Sequence, residues 1–332
     1  MIINIAFSSD NNYAPFLCVA IYSLLKSSNS KNNYHIYILD GGISKENKNK
    51  ILKSLNKLKN KKIEFIEVDK KIFKNIKQFL QLNQSAYYRL LLPIILPKVK
   101  KIIYGDCDLL ILKDISKLYN EQINKNLIGC CQIFHPNYKQ VLQKIYPKIK
   151  IKTAINSGVT LMDLNKLRKG DYSTKFINFV NQNSEKLIAG DQDVLNIILN
   201  DDIKILHPKW NSTSYLFVTK DNKKCNLNKK VFNTCVDNPS IVHFDGTKPW
   251  ASGSSHPYKK TYEKYLNETE FKNYKDEFNF KKFIKNKIFY TGNIIANMLP
   301  NFLYNIIEKQ YLKNNFLEKK FKEISKNANQ NN

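Results

Sequence analysis

The first hundred residues alternate short apolar runs with longer stretches in which apolar positions recur at helical spacing. Short apolar runs are typical of buried strands, and apolar positions three or four apart are typical of helices that pack on a sheet. The pattern predicts strands at 2–7, 34–39 and 63–68 and helices at 14–27 and 44–58. Strands and helices in alternation favour a largely parallel α/β sheet, whose ligand crevice lies at the carboxyl ends of the strands.

Farther along the chain, the same reasoning predicts a helix over 85–92 that Pro93 stops and a strand over 101–104. It also predicts a strand over 158–162 and a helix over 191–199. After residue 257 the pattern changes to Lys, aromatic residues and Asn at helical spacing. We therefore predict an α/β domain over 1–256 and a basic, aromatic-rich helical extension over 257–332.

The charge of the chain restricts the class of its partners. With 54 Lys and Arg against 28 Asp and Glu, the formal net charge is +26, which favours nucleic acid, anionic lipid or phosphorylated substrates. The many Tyr and Phe residues could stack on bases, so a nucleic-acid-binding protein is one alternative. No RNP, helix-turn-helix or zinc-finger signature accompanies them, so nucleic acid is not an expected partner.

The cysteines and the N-terminal residues indicate the compartment. None of the six cysteines forms a C-x-x-C pair or a Cys/His zinc spacing, which fits a reducing compartment. The first residues carry neither a basic region nor a small-residue cleavage site and lead directly into the first predicted strand. We expect a mature cytosolic protein.

Two carboxylates, Asp106 and Asp108, follow the strand predicted at 101–104. In extended backbone, side chains two residues apart project from the same face and can approach one cation together. Hard carboxylate oxygens suit Mg²⁺ or Mn²⁺. Asp pairs are also frequent in turns and caps, so the spacing alone leaves both interpretations open. The position at the carboxyl edge of the sheet favours the metal site.

A second group of candidate residues lies in the segment 241–250. His243 ends an apolar run and could offer a ring nitrogen to the cation, and Gly246 allows the backbone to approach a phosphate closely. Lys248 could place its charge against the same phosphates. The alternative is a hydrogen-bonded core histidine and a solvated lysine.

Four motifs occur in the order that one known family shows. They are Phe7–Tyr13, Tyr104–Asp108, Asn156–Asp163 together with Gly190–Leu195, and His243–Trp250. The last, His-x-x-Gly-x-Lys-Pro-Trp, is especially specific. Over residues 1–256 the chain resembles the bacterial lipopolysaccharide galactosyl- and glucosyltransferases of glycosyltransferase family 8.

The resemblance implies a GT-A fold, in which helices flank a Rossmann-like, mostly parallel sheet. It implies a metal-dependent hexosyltransferase that uses Mn²⁺, with Mg²⁺ as the alternative. The reaction would transfer galactose or glucose from a UDP-sugar, with retention of configuration, to a glycan or glycolipid acceptor. The expected acceptor is lipopolysaccharide, lipooligosaccharide or another cell-surface glycan. A non-catalytic, lectin-like protein of the same fold is a further alternative, against which the intact metal and Lys motifs argue.

Position by position, the resemblance also implies roles for single residues. The metal ligands would be Asp106, Asp108 and His243. The donor would contact Ser8 (where the family usually has Ala), Asp10, Asn12, Tyr13, Arg89, Asn156, Gly246 and Lys248. The catalytic group would comprise Asp191, Gln192, Asp193 and Lys248. The alternatives are helix capping by Asp10 and a helix-surface position for Arg89.

Gln192 matches the residue beneath the reacting face of the sugar. An amide is not ionisable, so the double displacement with two carboxylates that retaining glycosidases use does not transfer simply. We favour front-face displacement, in which the acceptor hydroxyl attacks beside the departing diphosphate and a diphosphate oxygen takes its proton. Asp193 is the nearby carboxylate alternative, and stabilisation of a helix N-terminus is its other role.

The segment 281–326 interleaves Lys with apolar and aromatic residues, and 288–307 carries no charge. A stripe of Asn at every fourth position from 293 to 305, together with Pro300, argues against a transmembrane helix. We expect helices that lie on an anionic membrane, which would place the enzyme peripherally on the inner face of the cytoplasmic membrane. Packing on the catalytic domain or a dimer contact is the alternative.

Overall fold

The computed structural model describes residues 1–69, 84–135, 137–219 and 221–276. The predicted membrane-binding segment 281–326 lies outside these residues. The described part forms a large and a small sheet from ten strands, which are β1 (Ile2–Ser9), β2 (Asn33–Asp40), β3 (Lys61–Glu67), β4 (Lys101–Gly105), β5 (Leu109–Ile111), β6 (Ile128–Gln132), β7 (Ile155–Asp163), β8 (Ile203–Leu206), β9 (Ser212–Thr213) and β10 (Ile241–His243).

The large sheet has seven strands in the order β3-β2-β1-β4-β7-β6-β8. Strand β1 is parallel to β2 and β4, β2 to β3, and β6 to β8, which confirms the mostly parallel α/β architecture. Strand β7 runs antiparallel to both of its neighbours, β4 and β6. The pairing of Gly105 with Val159 therefore places the beginning of β7 beside the carboxyl end of β4.

The small sheet has the order β5-β10-β9. Residues 106–108 form the turn by which the chain leaves β4 in the large sheet and enters β5 in the small one. The prediction that Asp106 and Asp108 lie in extended backbone is therefore wrong in its local geometry. A turn brings the two carboxylates together, because the chain changes sheets at this point.

Eleven α-helices are present in the described residues. They are α1 (Ala14–Lys26), α2 (Lys45–Leu55), α3 (Leu92–Ile95), α4 (Ser116–Tyr119), α5 (Tyr138–Ile145), α6 (Leu164–Lys169), α7 (Tyr172–Asn183), α8 (Asp191–Ile198), α9 (Ser214–Thr219), α10 (Lys229–Asp237) and α11 (Lys259–Asn267). The 3-10 helices are Gln84–Leu91, Ser184–Lys186, Asn200–Asp202 and Pro208–Trp210. Helix α1 is buried along nearly its whole length, since it packs against α2, β5 and α11.

The helix predicted over 85–92 is a 3-10 helix, Gln84–Leu91, and a short α-helix, α3, follows it directly. Pro93 lies in the first turn of α3, so the prediction that this proline stops the helix is wrong. A proline is tolerated in a first turn because its missing N–H group would have no partner inside the helix.

The C-terminal part of the described chain packs into the main core. Tyr262, Leu266 and Phe271 belong to the same apolar cluster as α1. Residues beyond 257 thus contribute to the α/β unit, and the two-domain division near 257 stays a prediction. None of the described helices combines the length and apolar character that a bilayer crossing requires.

Candidate metal centre

The three predicted metal ligands converge at the edge where the two sheets meet. Asp106 and Asp108 come from the turn between β4 and β5, and His243 comes from the end of β10. Their ligand atoms lie within 4.8 Å of one another. His243 Nε2 lies 3.2 Å from Asp108 Oδ1 and 3.8 Å from Asp106 Oδ2. Two carboxylates and one imidazole fit a divalent cation such as Mn²⁺ or Mg²⁺ and leave further positions for substrate oxygens.

Gly158 of β7 makes room for this cluster. Its carbonyl accepts a hydrogen bond from the Asp106 N–H at 2.9 Å. A Cβ at position 158 would overlap the His243 ring, with Nδ1 at 2.7 Å and Asp106 Oδ2 at 2.9 Å. The absence of a side chain therefore lets the ring and the carboxylate approach each other.

Contacts within the cluster shift the pKa values of Asp108, His243 and the neighbouring Lys248. Lys248 forms an ion pair with Asp108 and donates to the Phe244 carbonyl at 2.7 Å. Burial raises the pKa of Asp108, but the charges of Lys248 and His243 outweigh it and leave this pKa below its usual range. Burial lowers the pKa values of Lys248 and His243, but Asp108 raises both above their ordinary values. Lys248 is therefore fixed beside Asp108, one of the candidate metal ligands.

Arg89 is 3% exposed, so the alternative of a helix-surface arginine is wrong. Its Nη2 lies 2.5 Å from Asp106 Oδ1 and its Nε 2.9 Å from Asp191 Oδ2. Nη1 donates to the Ser157 carbonyl at 2.8 Å, and the guanidinium covers the Tyr104 ring at 4.1 Å from its centroid. Arg89 thus joins the turn at residues 106–108, which carries two candidate metal ligands, to the beginning of α8.

The N-terminus of α8 carries three of the four predicted catalytic side chains, Asp191, Gln192 and Asp193. Burial raises the pKa of Asp191 to about 7, since Arg89 opposes this shift only in part and Asp106 adds to it. Gln192 Oε1 accepts from the Ser157 N–H at 3.2 Å. Asp191 Oδ2 accepts from the Ser157 hydroxyl at 3.2 Å. Both residues therefore contact Ser157, near the beginning of β7 and beside the turn at residues 106–108.

Asp193 is fully buried and faces a different set of groups. It accepts hydrogen bonds from the Tyr138 hydroxyl at 2.6 Å, the Ala189 N–H at 2.9 Å and the Ile188 N–H. These contacts favour stabilisation of the helix N-terminus. The catalytic alternative for Asp193 stays a prediction.

The predicted donor-contacting residues Ser8, Asp10, Asn12 and Tyr13 extend from the end of β1 to the residue before α1. The Ser8 hydroxyl donates to the Ser85 carbonyl at 2.5 Å, and Asp10 Oδ1 accepts from the Tyr13 N–H at 2.9 Å immediately before α1. Asn12 is exposed, and the Tyr13 side chain is 42% exposed. This open surface lies close to the candidate segment 241–250, because the Tyr13 ring meets the Phe16 ring edge to face and Phe16 stacks on Trp250 with ring centroids 3.6 Å apart.

Sequence reasoning missed Asn211, which is fully buried between the predicted site residues. Its Oδ1 lies 2.9 Å from His243 Nδ1, and its Nδ2 donates to Asn156 Oδ1 at 2.8 Å. Asn211 precedes the two-residue strand β9, which no periodicity reveals. Gly246 N donates to the Ser214 hydroxyl at 3.1 Å, so the predicted phosphate-binding segment is joined to the residue that follows β9.

Comparisons with known proteins agree with this arrangement. The family model "Glycosyl transferase family 8" matches residues 4–253. General stress protein A of Bacillus subtilis is 33% identical over 275 residues, which cover 81% of this chain and 95% of that protein. Lipopolysaccharide 1,2-glucosyltransferase of Escherichia coli is 23% identical over 281 residues, which cover 81% and 79%.

Among solved structures, the galactosyltransferase LgtC in complex with donor and acceptor sugar analogues superposes with a TM-score of 0.71 at 21% identity, covering 81% of this chain and 96% of LgtC. An active-site glutamine-to-glutamate variant of LgtC gives a TM-score of 0.70 at 22% identity, with the same coverage. These structures share the GT-A fold. The extent of the family match and the full-length relationship to the Bacillus protein show that this chain belongs to glycosyl transferase family 8.

Proposed function

We propose that the chain transfers a hexose, galactose or glucose, from a UDP-sugar to a glycan acceptor with retention of configuration. The observation that carries this proposal is the convergence of Asp106, Asp108 and His243, with Lys248 paired to Asp108, at the edge where the two sheets meet. A nucleotide diphosphate needs such a set of cationic and cation-binding groups. The family membership does not favour a nucleic-acid-binding protein.

The roles of the residues follow from their positions. Asp106, Asp108 and His243 would hold Mn²⁺, with Mg²⁺ as the alternative, and the ion when bound would screen the charge of the diphosphate. Lys248 would neutralise the negative charge that the leaving diphosphate gains, and the backbone at Gly246 would lie beside the same phosphates. Arg89, Asn156 and Asp191 would line the sugar side of the pocket. Ser8, Asp10, Asn12 and Tyr13 would line the uridine side.

The reaction would be a front-face displacement. The acceptor hydroxyl oxygen forms a bond to the anomeric carbon while the bond from that carbon to the UDP oxygen breaks, and a diphosphate oxygen takes the hydroxyl proton. Gln192 would lie beneath the reacting sugar face, where its amide can donate and accept hydrogen bonds but cannot act as a carboxylate nucleophile. LgtC supports this role, because the glutamine that is replaced by glutamate in the solved variant belongs to the active site of that enzyme. Asp193 is the alternative catalytic carboxylate.

The acceptor that we propose is lipopolysaccharide, lipooligosaccharide or another cell-surface glycan. The similarity to the Escherichia coli lipopolysaccharide 1,2-glucosyltransferase supports this class, and the LgtC complex with donor and acceptor sugar analogues supports a sugar acceptor. We further propose that the segment 257–332 attaches the enzyme to the anionic inner face of the cytoplasmic membrane. The net charge of +26 supports attachment to an anionic surface.

A screen of UDP-sugars on the full chain tests the donor. We expect Mn²⁺-dependent release of UDP from UDP-galactose or UDP-glucose, and loss of this release in EDTA that returns when Mn²⁺ is restored. Unchanged hydrolysis by metal-stripped protein in EDTA would contradict the metal centre.

A thermal-shift titration separates the transferase from the nucleic-acid alternative. UDP and Mn²⁺ together should stabilise the protein, by roughly 2.7 kcal/mol at a ligand concentration of about 100 times Kd, because only the folded state binds them. UDP alone should shift Tm less, and RNA is the comparison ligand. Stabilisation by RNA without any effect of UDP and Mn²⁺ would favour the nucleic-acid-binding function.

A further inference from the structure

We propose that Asn211 is a positioning residue that fixes the tautomer and orientation of His243, so that the Nε2 lone pair faces the metal site. This proposal rests on the proposed function, because Asn211 would orient His243, one of the proposed metal ligands. Asn211 lies in the connection from the 3-10 helix Pro208–Trp210 to β9 and is 0% exposed.

The direction of the hydrogen bonds begins at a backbone group. The Gly158 N–H can only donate, and the side-chain atom of Asn156 that lies 2.9 Å from it must therefore be the carbonyl oxygen. The same oxygen lies 2.8 Å from Asn211, whose facing atom must then be the amide nitrogen. Amide orientation is often ambiguous, but here the backbone donor determines it.

The orientation of Asn211 in turn determines the state of His243. With its nitrogen directed to Asn156, Asn211 presents Oδ1 to the ring, 2.9 Å from Nδ1. An oxygen acceptor requires Nδ1 to carry the proton, and in the neutral ring this leaves the lone pair on Nε2. Nε2 is the nitrogen that faces Asp108 at 3.2 Å and Asp106 at 3.8 Å.

The surroundings allow the ring little other freedom. β10 pairs with β5 on one side and β9 on the other, and His243 lies opposite Leu109 and Thr213. Gly158 packs against the ring edge so closely that a Cβ would overlap it. A hydrogen bond to the second nitrogen of a metal-binding histidine is a general means of fixing ring orientation, and its loss typically weakens metal binding 10- to 100-fold.

Asn211→Ala tests the proposal through Mn²⁺ affinity, measured by electron paramagnetic resonance with and without UDP. We expect affinity to fall roughly 10- to 100-fold. Asn211→Asp keeps an oxygen acceptor for Nδ1 and should recover most of the loss. The matched control is Asn196→Ala, which removes an equally buried amide, bonded to Ile155 and Gln192 rather than to His243. It should lower Tm without changing Mn²⁺ affinity.

The tautomer is measured directly by ¹⁵N NMR of the histidine rings in metal-free protein at alkaline pH, where the rings are neutral. The chain has five histidines, so His243→Gln assigns the signal. We expect wild-type His243 to carry its proton on Nδ1 and Asn211→Ala to lose this preference.

A proton on Nε2 in the wild type, or Mn²⁺ binding by Asn211→Ala as tight as in the wild type, would overturn the proposal. Wild-type protein that shows the Nδ1–H tautomer but binds no Mn²⁺ would instead overturn the metal centre of the proposed function, and with it the metal-directed role of Asn211.

Discussion

Asp108 is the most strongly constrained carboxylate of the candidate metal centre. It lies between Lys248 and His243 and is only 8% exposed. Its lowered pKa keeps the carboxylate charged although little of it is exposed, and of its two partners Lys248 is the one that we propose to contact the leaving diphosphate. Removal of this charge should affect catalysis far more than it affects the fold.

We expect Asp108→Asn to lower kcat/KM roughly a thousandfold, because a metal ligand supports several kcal/mol of charge stabilisation in the transition state. Metal-dependent release of UDP measures the effect. Asp163→Asn is the matched control, since this aspartate caps α6 by accepting from the Lys166 N–H at 3.0 Å and is not one of the proposed ligands. Equal activity of wild-type protein and Asp108→Asn would contradict the proposed role.

Gly158 provides a steric test of the same centre. Gly158→Ala should force His243 and Asp106 apart and weaken Mn²⁺ binding, with a stability cost of about 1–3 kcal/mol for overpacking. Isothermal titration with Mn²⁺ and urea denaturation measure the two effects. Gly129→Ala on β6 is the control, because its new methyl group would meet side-chain ends of Ile123 and Leu206 at 3.2 Å. Similar Mn²⁺ affinity in both variants would argue against steric control by Gly158.

Residues that act through contiguous motifs could be predicted from the sequence. Asp106 and Asp108 stand together after an apolar run, and His243 and Lys248 share one eight-residue motif. The role of Asn211 and the contacts of Arg89 could not be predicted from the sequence. They depend on side chains that meet only after β7, β9 and α8 have packed. The sequence also leaves both roles of Asp193 open, since its contact with Tyr138 forms only when a separate helix has packed against α8.

At the scale of elements, Asp114 joins two connections that are distant in sequence. Following β5, it accepts hydrogen bonds from the Asn29 N–H at 2.6 Å, the Tyr34 hydroxyl at 2.7 Å and the Ser116 N–H at 2.8 Å. The loop before β2 is thereby tied to the beginning of α4. Burial alone would raise the pKa of Asp114, but these hydrogen bonds outweigh it and lower the pKa to about 2.

The lowered pKa of Asp114 predicts a contribution to the free energy of unfolding that is lost in acid. Because the folded pKa lies below the reference value of 3.8, the stabilisation is present above about pH 4 and is lost as pH falls through about 2. Asp114→Asn should lower the free energy of unfolding at neutral pH by about 1–2 kcal/mol, a value reduced for solvent screening at a partly exposed group.

Urea denaturation of Asp114→Asn and wild-type protein between pH 2 and 7 measures the difference. We expect the two proteins to converge toward the acid end of the series. Glu46→Gln is the control, because this glutamate is exposed and pairs only with Lys50 on α2 among the contacts described. A difference between wild-type protein and Asp114→Asn that stays constant with pH would refute the assignment.

The longer elements could be predicted from periodicity, with ends that coincide with the observed ones or lie up to three residues away. Strands such as β5 and β10 have three residues, which is too short for an alternation to be recognised. β5 and β10 form because they pair with each other, and this pairing also produces the small sheet that carries His243. Pro93 is also difficult to interpret, because a proline can either end a helix or lie in the first turn of a new one.

At the scale of the whole molecule, the net charge of +26 is concentrated in part beyond the described residues. The segment 281–332 contains ten Lys and three Glu, a net charge of +7. Each lysine near an anionic membrane contributes about 1 kcal/mol to attraction.

Deletion of 281–332 should therefore abolish sedimentation with phosphatidylserine-containing liposomes while leaving hydrolysis of the UDP-sugar intact. The deletion removes none of the residues that the structure describes. Phosphatidylcholine liposomes and high salt are the controls, since both should weaken binding of the full chain. Binding of the truncated protein to anionic liposomes would show that attachment lies elsewhere.

The position of the metal centre between two sheets also has a consequence for how the chain folds. Lys248 and Asp108 pair across 140 positions of sequence, so the charged cluster closes one of the long loops of the chain. A nascent chain that has folded only through β5 holds Asp106 and Asp108 but lacks both His243 and Lys248. Under the proposed function, Mn²⁺ binding would therefore require completed folding, and its appearance during refolding would mark the time at which β10 pairs with β5.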